Sequence, residues 1–452
     1  MSRSAALSSL GAMALAALAF CVCGAAAQAR VRPHYGGELR METSEDEAPD
    51  FIKLLVTETL TYVDARGDVH PALALRWESQ NGDRRWQFRL RPGVQLHSAD
   101  SDAPLTSALV ANAIREALTT AGMEARVHGA GDVLTVEFDK PVPQLAALLA
   151  DAQFAVGSKD ANNVLVGSGP YAIQAVTASR VALVANPNYW GGRRFPEAIT
   201  VLCKRSARDQ ALDLAARRTD LVEVPAGELR HAQQERTRLS QIQATELIVL
   251  SAEHARGSDA KVRQALSESI DRPALLNFIF QKQGQASGAL LPNWITGYGA
   301  LLPAVHDAAH ARQLRAEFLG RAAFTLGYEA GDAELQLLAE RIALNAREAG
   351  VTVQPVARAS DVDWQLRRVT LRTANPAAAL TEVLHTLHAP LELDDTSLDA
   401  VFRAERAALA DYTVLPLLHL NRAWAASERL HDWSSASPLQ PLPAESWVES
   451  KP

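Results

Sequence analysis

The stretch from Val166 to Pro225 constrains the fold more tightly than any other part of the chain. It opens with Val166-Gly167-Ser168-Gly169-Pro170-Tyr171 and passes through Asn186-Pro187-Asn188-Tyr189-Trp190-Gly191-Gly192. It closes on Asp220-Leu221-Val222-Glu223-Val224-Pro225. The Gly and Pro positions demand special backbone angles or fix φ, so they mark turns. Val181 to Val184 and Ile199 to Leu202 are β-branched or aliphatic runs of strand length. Arg208 to Arg217 carries apolar residues at helical spacing, with Leu212, Ala215 and Ala216 on one side. The succession is turn, strand, turn, strand, helix, strand, as in an α/β fold.

A chain of 452 residues exceeds what one hydrophobic core usually holds, so two or three lobes are expected. Its 48% apolar and 21% charged residues are those of an ordinary globular protein. The net charge of −7 argues against nucleic acid or an anionic membrane surface as the main partner. At the N-terminus, Arg3 precedes an Ala/Leu-rich apolar stretch from Ala5 to about Cys23, then Ala27-Gln28-Ala29. This pattern reads as an export signal over residues 1–29, cleaved near Ala29, with a periplasmic destination. An uncleaved anchor is the alternative. Lipidation at Cys21 or Cys23 is disfavoured by the bulky Phe20 and Val22 before them. Past the signal Cys203 stands alone, so it has no intramolecular disulfide partner and is expected to be a buried packing residue.

Along the chain, Gly36 to Met41 reads as a short strand and Phe51 to Leu60 as a helix with Ile52, Leu55 and Leu60 inward. Trp86, Phe88 and Leu90 alternate on a half-buried strand that Pro92-Gly93 turns. Ser98 to Pro104 is a loop, and Thr106 is the expected N-cap of a helix over Ser107 to Thr119. Val262, Leu266 and Ile270 share one helix face, and Asp271 caps a second helix through Pro273. Ala333 to Ala349 is an amphipathic helix turning Leu335, Leu338 and Ile342 to one side, and Val414 to Leu420 is a strand.

The Gly-x-Gly-Pro-Tyr, Asn-Pro-x-Tyr-Trp and Asp-Leu-Val-x-Val-Pro succession resembles the family 5 extracellular solute-binding proteins of peptide and nickel ABC importers. The resemblance extends to Leu73-Ala74-Leu75-Arg76-Trp77 before the Trp86 strand, and to Val262-Arg263-Gln264-Ala265-Leu266 with Ile270-Asp271-Arg272. It implies an α/β fold of the type II periplasmic-binding-protein kind. Two main lobes are joined by a hinge, with hinge strands near 245–252 and 411–420, and an extra subdomain is inserted in the first lobe. The implied division is lobe I over 30–62, 166–250 and 414–452, the insertion over 63–165, and a further lobe over 251–413.

Catalytic signatures are absent: the sequence holds no Gly-x-Ser-x-Gly, His-Glu-x-x-His, Gly-Lys-Ser/Thr phosphate loop or Gly-x-Gly-x-x-Gly. An enzyme is not expected, nor is a cofactor. Gly167-Ser168-Gly169-Pro170 reads as a structural turn, since Pro170 lacks an amide donor. His306 and His310, or Glu382, His385 and His388, have one-turn spacings that can hold a transition metal, but a chain with 12 histidines produces such spacings by chance, and no metal site is assigned. Peptide-binding relatives carry an acidic anchor for the ligand's α-amino group in a segment that aligns, on Pro376, with Val369 to Pro376. Arg372 then occupies the acidic position, favouring an anionic or non-peptide ligand. Slippage of that alignment, or an outward-facing Arg372, is the alternative. Candidate ligand-binding residues are Arg372, Thr373, Asn375, Ser44, Glu45 and His419. The implied function is capture of a small solute, peptide-like or anionic, by a monomer that delivers it to an ABC permease. A solute-binding fold retained as a ligand sensor or partner-binding module is the competing reading.

Overall fold

The computed structural model describes residues 34–449 apart from 45–49, 65–67, 98–101, 161, 236, 255–258, 304, 318–322, 359, 392, 394 and 434–445. The export signal and Glu45 therefore lie outside the described residues. One mixed sheet organises the rest. Its strands in chain order are β1 (Glu38–Glu42), β2 (Tyr171–Thr177), β3 (Arg180–Ala185), β4 (Ala198–Leu202), β5 (Leu221–Val224) and β6 (Arg238–Ala252), followed by β7 (Gly284–Ala286), β8 (Ala323–Tyr328), β9 (Thr352–Ala357), β10 (Trp364–Thr370) and β11 (Val414–Ala426). Across the sheet the order is β2-β3-β4-β1-β5-β11-β6-β10-β8-β9, with β7 on β11.

Two parallel groups stand on either side of a long antiparallel pair. β1 is parallel to β4 and β5, and β8 is parallel to β9 and β10. Between them, β6 and β11 pair from one end to the other. The first part of β6, Arg238 to Ile242, lies against Arg422 to Ala426; from Glu246 onward β6 also pairs with β10. The register slips between Ile242 and Ala244 and again between Ala244 and Glu246. Bulges bend a strand and increase its twist, so the chain bends where it crosses between the parallel groups.

Three main hydrophobic cores result. One gathers β1, β2, β3 and β4 residues around Leu39, Tyr171, Ile199 and Trp424. A second belongs to the inserted segment, around Trp86, Phe88, Ile114, Leu134 and Phe154. The third and largest packs Val262, Leu266, Ile270, Leu335, Leu338 and Ile342 against the middle of the sheet. The helical faces predicted for 260–272 and 333–349 are the buried faces. Asp271 accepts from the Ala274 amide at 2.9 Å and Thr106 from the Leu109 amide at 3.2 Å, so both predicted caps are formed. Cys203 is buried, as expected.

Three local expectations are corrected. The helix at Phe51 spans Asp50–Val56 and stops short of Leu60. Thr57 to Thr59 continue in extended form, and Glu58 bridges Val156. β-Branched threonines favour that conformation, and it aims the Glu58 carboxylate at distant donors. Within the predicted 98–104 loop, Asp102–Pro104 forms a short strand on Gln95–His97. The helix Ala207–Ala215 buries its polar side, Gln210 and Asp213, and leaves Leu212 58% exposed. Arg205 explains the inversion. Its guanidinium donates to Asp213 at 2.6 Å and to Glu42 at 3.2 Å, while the Gln210 amide donates to the Arg205 carbonyl at 3.0 Å. Those polar groups fix the helix by its hydrophilic face.

Candidate functional site

In open α/β sheets, ligands bind beyond the carboxyl ends of parallel strands. Here the carboxyl ends of β1 and β5 lie beside the bulged part of β6. The carboxyl end of β10 faces the same place from the other group, because Thr370 pairs with Glu246. The two sets of strand ends, joined by β6 and β11, form the candidate site.

On the first side the centre is Glu223. It shares a face of β5 with Leu221, opposite Val222 and Val224, which pack in a small separate cluster. Glu223 Oε2 accepts from the Ser44 amide at 2.8 Å, the Ser44 hydroxyl at 2.8 Å and the Thr43 hydroxyl at 2.9 Å. Its other oxygen accepts a short hydrogen bond from Arg422 of β11. Burial alone would push the Glu223 carboxyl up. The Arg422 charge, with the Ser44 and Thr43 donors, outweighs burial and holds it below the ordinary carboxylate range. The candidate Ser44 is exposed at the strand end, with both its donors on Glu223.

Opposite lies a second ionic cluster. Arg368 of β10 donates to Glu246 of β6 at 2.9 Å, to Glu334 at 2.8 Å and to Asp332 at 3.3 Å. Burial alone would lower the Arg368 pKa, but the three carboxylates reverse that and hold the guanidinium charged. Burial pushes the Glu334 carboxyl up, with Arg368 pulling the other way. Three carboxylates around one guanidinium leave an acidic surplus at this edge. Between the clusters, the Trp294 indole donates to the Ala244 carbonyl at 2.9 Å, tying the bulge to the second side.

The remaining candidates are placed as follows. Residues 371–375 leave β10 at this edge, but their groups are engaged. Thr373 is buried and its hydroxyl accepts from the Asn375 amide at 2.9 Å. Asn375 is the N-cap of the helix Pro376–Thr386, accepting from Ala378 at 3.0 Å. Arg372 is 59% exposed and lies 3.7 Å from Glu382, ten residues along the same segment. The guanidinium is thus solvated and beside a carboxylate here, where the alignment on Pro376 implied a desolvated anion anchor. His419 is 2% exposed inside the sheet, between β6 and β7, with Nε2 at 3.1 Å from the Leu290 carbonyl. Burial pulls its pKa down to about 4, against the pull of that carbonyl, which leaves the imidazole neutral near pH 7 and enclosed within the sheet.

Sequence reasoning missed Glu223, Arg422, Glu334 and Arg368. One signal was available: Glu223 interrupts an apolar strand, and a carboxylate on the buried side of a strand requires partners. The histidine pairs resolve into ordinary contacts, with His310 Nδ1 at 2.6 Å from Glu268 and His306 at 3.9 Å from Asp271. Among the described residues no group of three or more His, Cys, Asp or Glu side chains is arranged to hold a metal ion.

The Gly-x-Gly-Pro and Asn-Pro-x-Tyr-Trp motifs meet at Glu58. Its carboxylate accepts from Ser168 at 2.8 Å, Tyr189 at 2.9 Å and the Trp190 indole at 2.7 Å. A Cβ on Gly167 would sit 2.2 Å from the Val56 carbonyl oxygen, so the turn needs glycine to pack on the end of the helix Asp50–Val56. These motifs build the joint between the first core and the insertion.

Comparison with known proteins adds four findings. Residues 68–377 match the bacterial extracellular solute-binding proteins, family 5, middle region. The chain is 24% identical over 306 residues to the probable di/tripeptide-binding protein 5 of Pseudomonas aeruginosa (strain UCBPP-PA14), covering 58% of each. It is also 24% identical over 307 residues to the nickel-binding periplasmic protein of Escherichia coli (strain K12), covering 61% of this chain and 57% of that one. It thus spans somewhat under six-tenths of the length of these curated relatives. The structure of the periplasmic binding protein DppA from Helicobacter pylori, in complex with the peptide STSA, superposes with a TM-score of 0.76 at 15% identity. It covers 92% of this chain and 99% of that one. That likeness establishes a type II periplasmic-binding-protein fold.

Proposed function

This chain belongs to the family 5 bacterial extracellular solute-binding proteins, and from that premise we propose that it captures a small solute between its two lobes and delivers it to an ABC permease. The observation that carries the reading is the pair of long strands β6 and β11, bulged at 242–246, with ionic groups from both lobes converging on that bend. A ligand there would be held by enclosure as the lobes close, with a few fixed polar groups setting its orientation. Family and fold are those of solute-binding proteins without chemistry of their own. Lobe I over 30–62, 166–250 and 414–452, an insertion over 63–165 and a further lobe over 251–413 is the division we adopt; the separate cores support it. Members of the family are periplasmic or extracellular. We place this one in the periplasm as a monomer, its signal removed near Ala29.

Of the two ligand classes open to it, peptide-like and anionic, the acidic surplus at Glu246, Asp332 and Glu334 favours a solute carrying an ammonium group. Arg372, already beside Glu382, no longer argues for an anion. The test is a thermal-shift screen of the exported chain against di- and tripeptides, N-acetylated peptides, organic acids, sugars and divalent metals. A ligand at 100 times its dissociation constant adds about 2.7 kcal/mol of stability, a readily seen rise in midpoint. Free peptides should register and their N-acetylated forms should not. Equal shifts from both would overturn the ammonium assignment, and a blank screen would favour a partner-binding module.

A further inference from the structure

After β5 the chain turns through a short 3-10 segment, Ala226–Glu228, before the helix Leu229–Gln234. The residues flanking this turn, Val224 and Leu229, pack in lobe I's small apolar cluster. Ala226 does not. It is 1% exposed and joins the large core that the middle of the sheet shares with the further lobe. The next residue, Gly227, donates its amide to Glu334 Oε1 at 3.3 Å. Glu334 sits in the first turn of the helix Ala333–Glu348 and through its other oxygen accepts from Arg368, which also holds Glu246 just past the bulge. One turn of lobe I is thus buried at this shared core and hydrogen-bonded to the other lobe through a network that ends on the hinge strand itself.

We propose that this turn is a latch. The Ala226 plug and the Gly227–Glu334 hydrogen bond hold the two lobes in the arrangement seen here, and both must come apart for the lobes to rotate about the bulges of β6. Two adjacent strands alone resist twisting weakly; a third contact away from them fixes the angle. The same arrangement brings Ala378, at the start of a helix of the further lobe, against the core of the insertion, so the lobes touch at two separate places. Glycine at 227 is required by contact and not by backbone: its φ is not positive, but a Cβ there would lie 2.5 Å from Glu334 Oε1. An alanine would therefore leave the turn's conformation intact and push the carboxylate away.

The experiment measures inter-lobe distance in solute-free protein, so its result does not depend on the transport reading being right. Spin labels go on cysteines introduced at Val176 in lobe I and Leu344 in the other lobe, both more than half exposed, while Cys203 is buried. The unaltered latch should give one dominant distance, that of the present arrangement. Gly227→Ala should raise the population at a different distance about tenfold. Ala226→Gly, which withdraws only the buried methyl group, should act in the same direction, and Glu334→Gln more weakly, because its amide oxygen can still accept from Gly227. If Gly227→Ala does not fold, Ala226→Gly and Glu334→Gln decide the matter. Distance distributions unchanged in the folded variants would overturn the latch, as would a loss of thermal stability with no change in distance.

Discussion

Replacing Glu223 with glutamine should weaken lobe I and disturb the site it borders, by an amount the structure allows to be worked out. Glu223 and Arg422 are 10% and 15% exposed, so neither charge is well solvated. Breaking a buried pair by removing one partner typically costs about 3–5 kcal/mol, because the surviving charge is left uncompensated. The small residual exposure places this site at the lower end, about 3 kcal/mol. The glutamine also turns an amide NH2 toward donors on one side, so either the Arg422 contact or a contact from Thr43 or Ser44 is lost. Arg422→Met leaves the carboxylate with its Ser44 and Thr43 donors, and should cost about 2 kcal/mol. The double variant should then be less destabilised than the sum by roughly 2 kcal/mol. Urea unfolding followed by tryptophan fluorescence reads this directly, because Trp424 lies opposite Glu223 in the β5–β11 pairing. The pH dependence gives an independent check. A carboxylate whose folded pKa is depressed contributes stability that is present above its ordinary value of 4.5 and lost as pH falls through the folded value. The acid limb of the stability curve should therefore flatten in Glu223→Gln. Additivity within about 0.5 kcal/mol together with an unchanged acid limb would refute the reasoning.

Three further outcomes are expected. His419 has its pKa pulled from 6.5 to about 4 by burial, so the unfolded chain binds the extra proton between those values and stability falls as pH drops through that window. The fall amounts to about 3 kcal/mol, and His419→Asn should remove it from a denaturation series run from pH 7 to pH 4. Glu58→Ala should cost about 2–4 kcal/mol, chiefly by orphaning the buried Ser168 hydroxyl, since the 36%-exposed Trp190 can turn to water. Adding Ser168→Ala should then cost almost nothing more, whereas full additivity would show the bond to be worthless. Asn375→Ala should cost about 1 kcal/mol as the loss of an N-cap, with solute affinity unchanged. A large loss of affinity without a loss of stability would restore Asn375 to the ligand site.

What could be read from the chain depended on how far apart the interacting residues lie. Val262, Leu266, Ile270 and the Asp271 cap are local, so their spacing alone placed two helices and their buried face. The same logic failed for the helix Ala207–Ala215, whose orientation is set by Arg205 and Glu42 outside it and not by its own apolar positions. Thr57 to Leu60 left the helical path because Glu58 reaches donors more than a hundred residues away. The site shows this limit most clearly. The motifs that carried the family resemblance assemble the joint at Glu58 and the turn at Gly167, and therefore reported the fold. The groups at the bend, Glu223 with Arg422 and Arg368 with Glu334, pair between separate elements of the fold, which no local pattern encodes. Ser44 was legible only through the family likeness, and the Glu223 that holds it was not.

The bridge between Glu58 and Val156 has a consequence for how this protein can be rebuilt. The Val156 amide donates to the Glu58 carbonyl at 2.8 Å, so the strand leaving lobe I and the strand coming back run side by side. Most of the interval packs in a core of its own and none of its strands joins the large sheet, while Gln95–His97 pairs across the seam with Leu165–Gly167. The insertion is in effect a detachable cassette with both ends at one seam. Joining 58 to 156 through a short turn should prune it without rethreading the large sheet, at the cost of the strand that covers Leu165–Gly167, and the same seam is where a cassette from a relative could be spliced in.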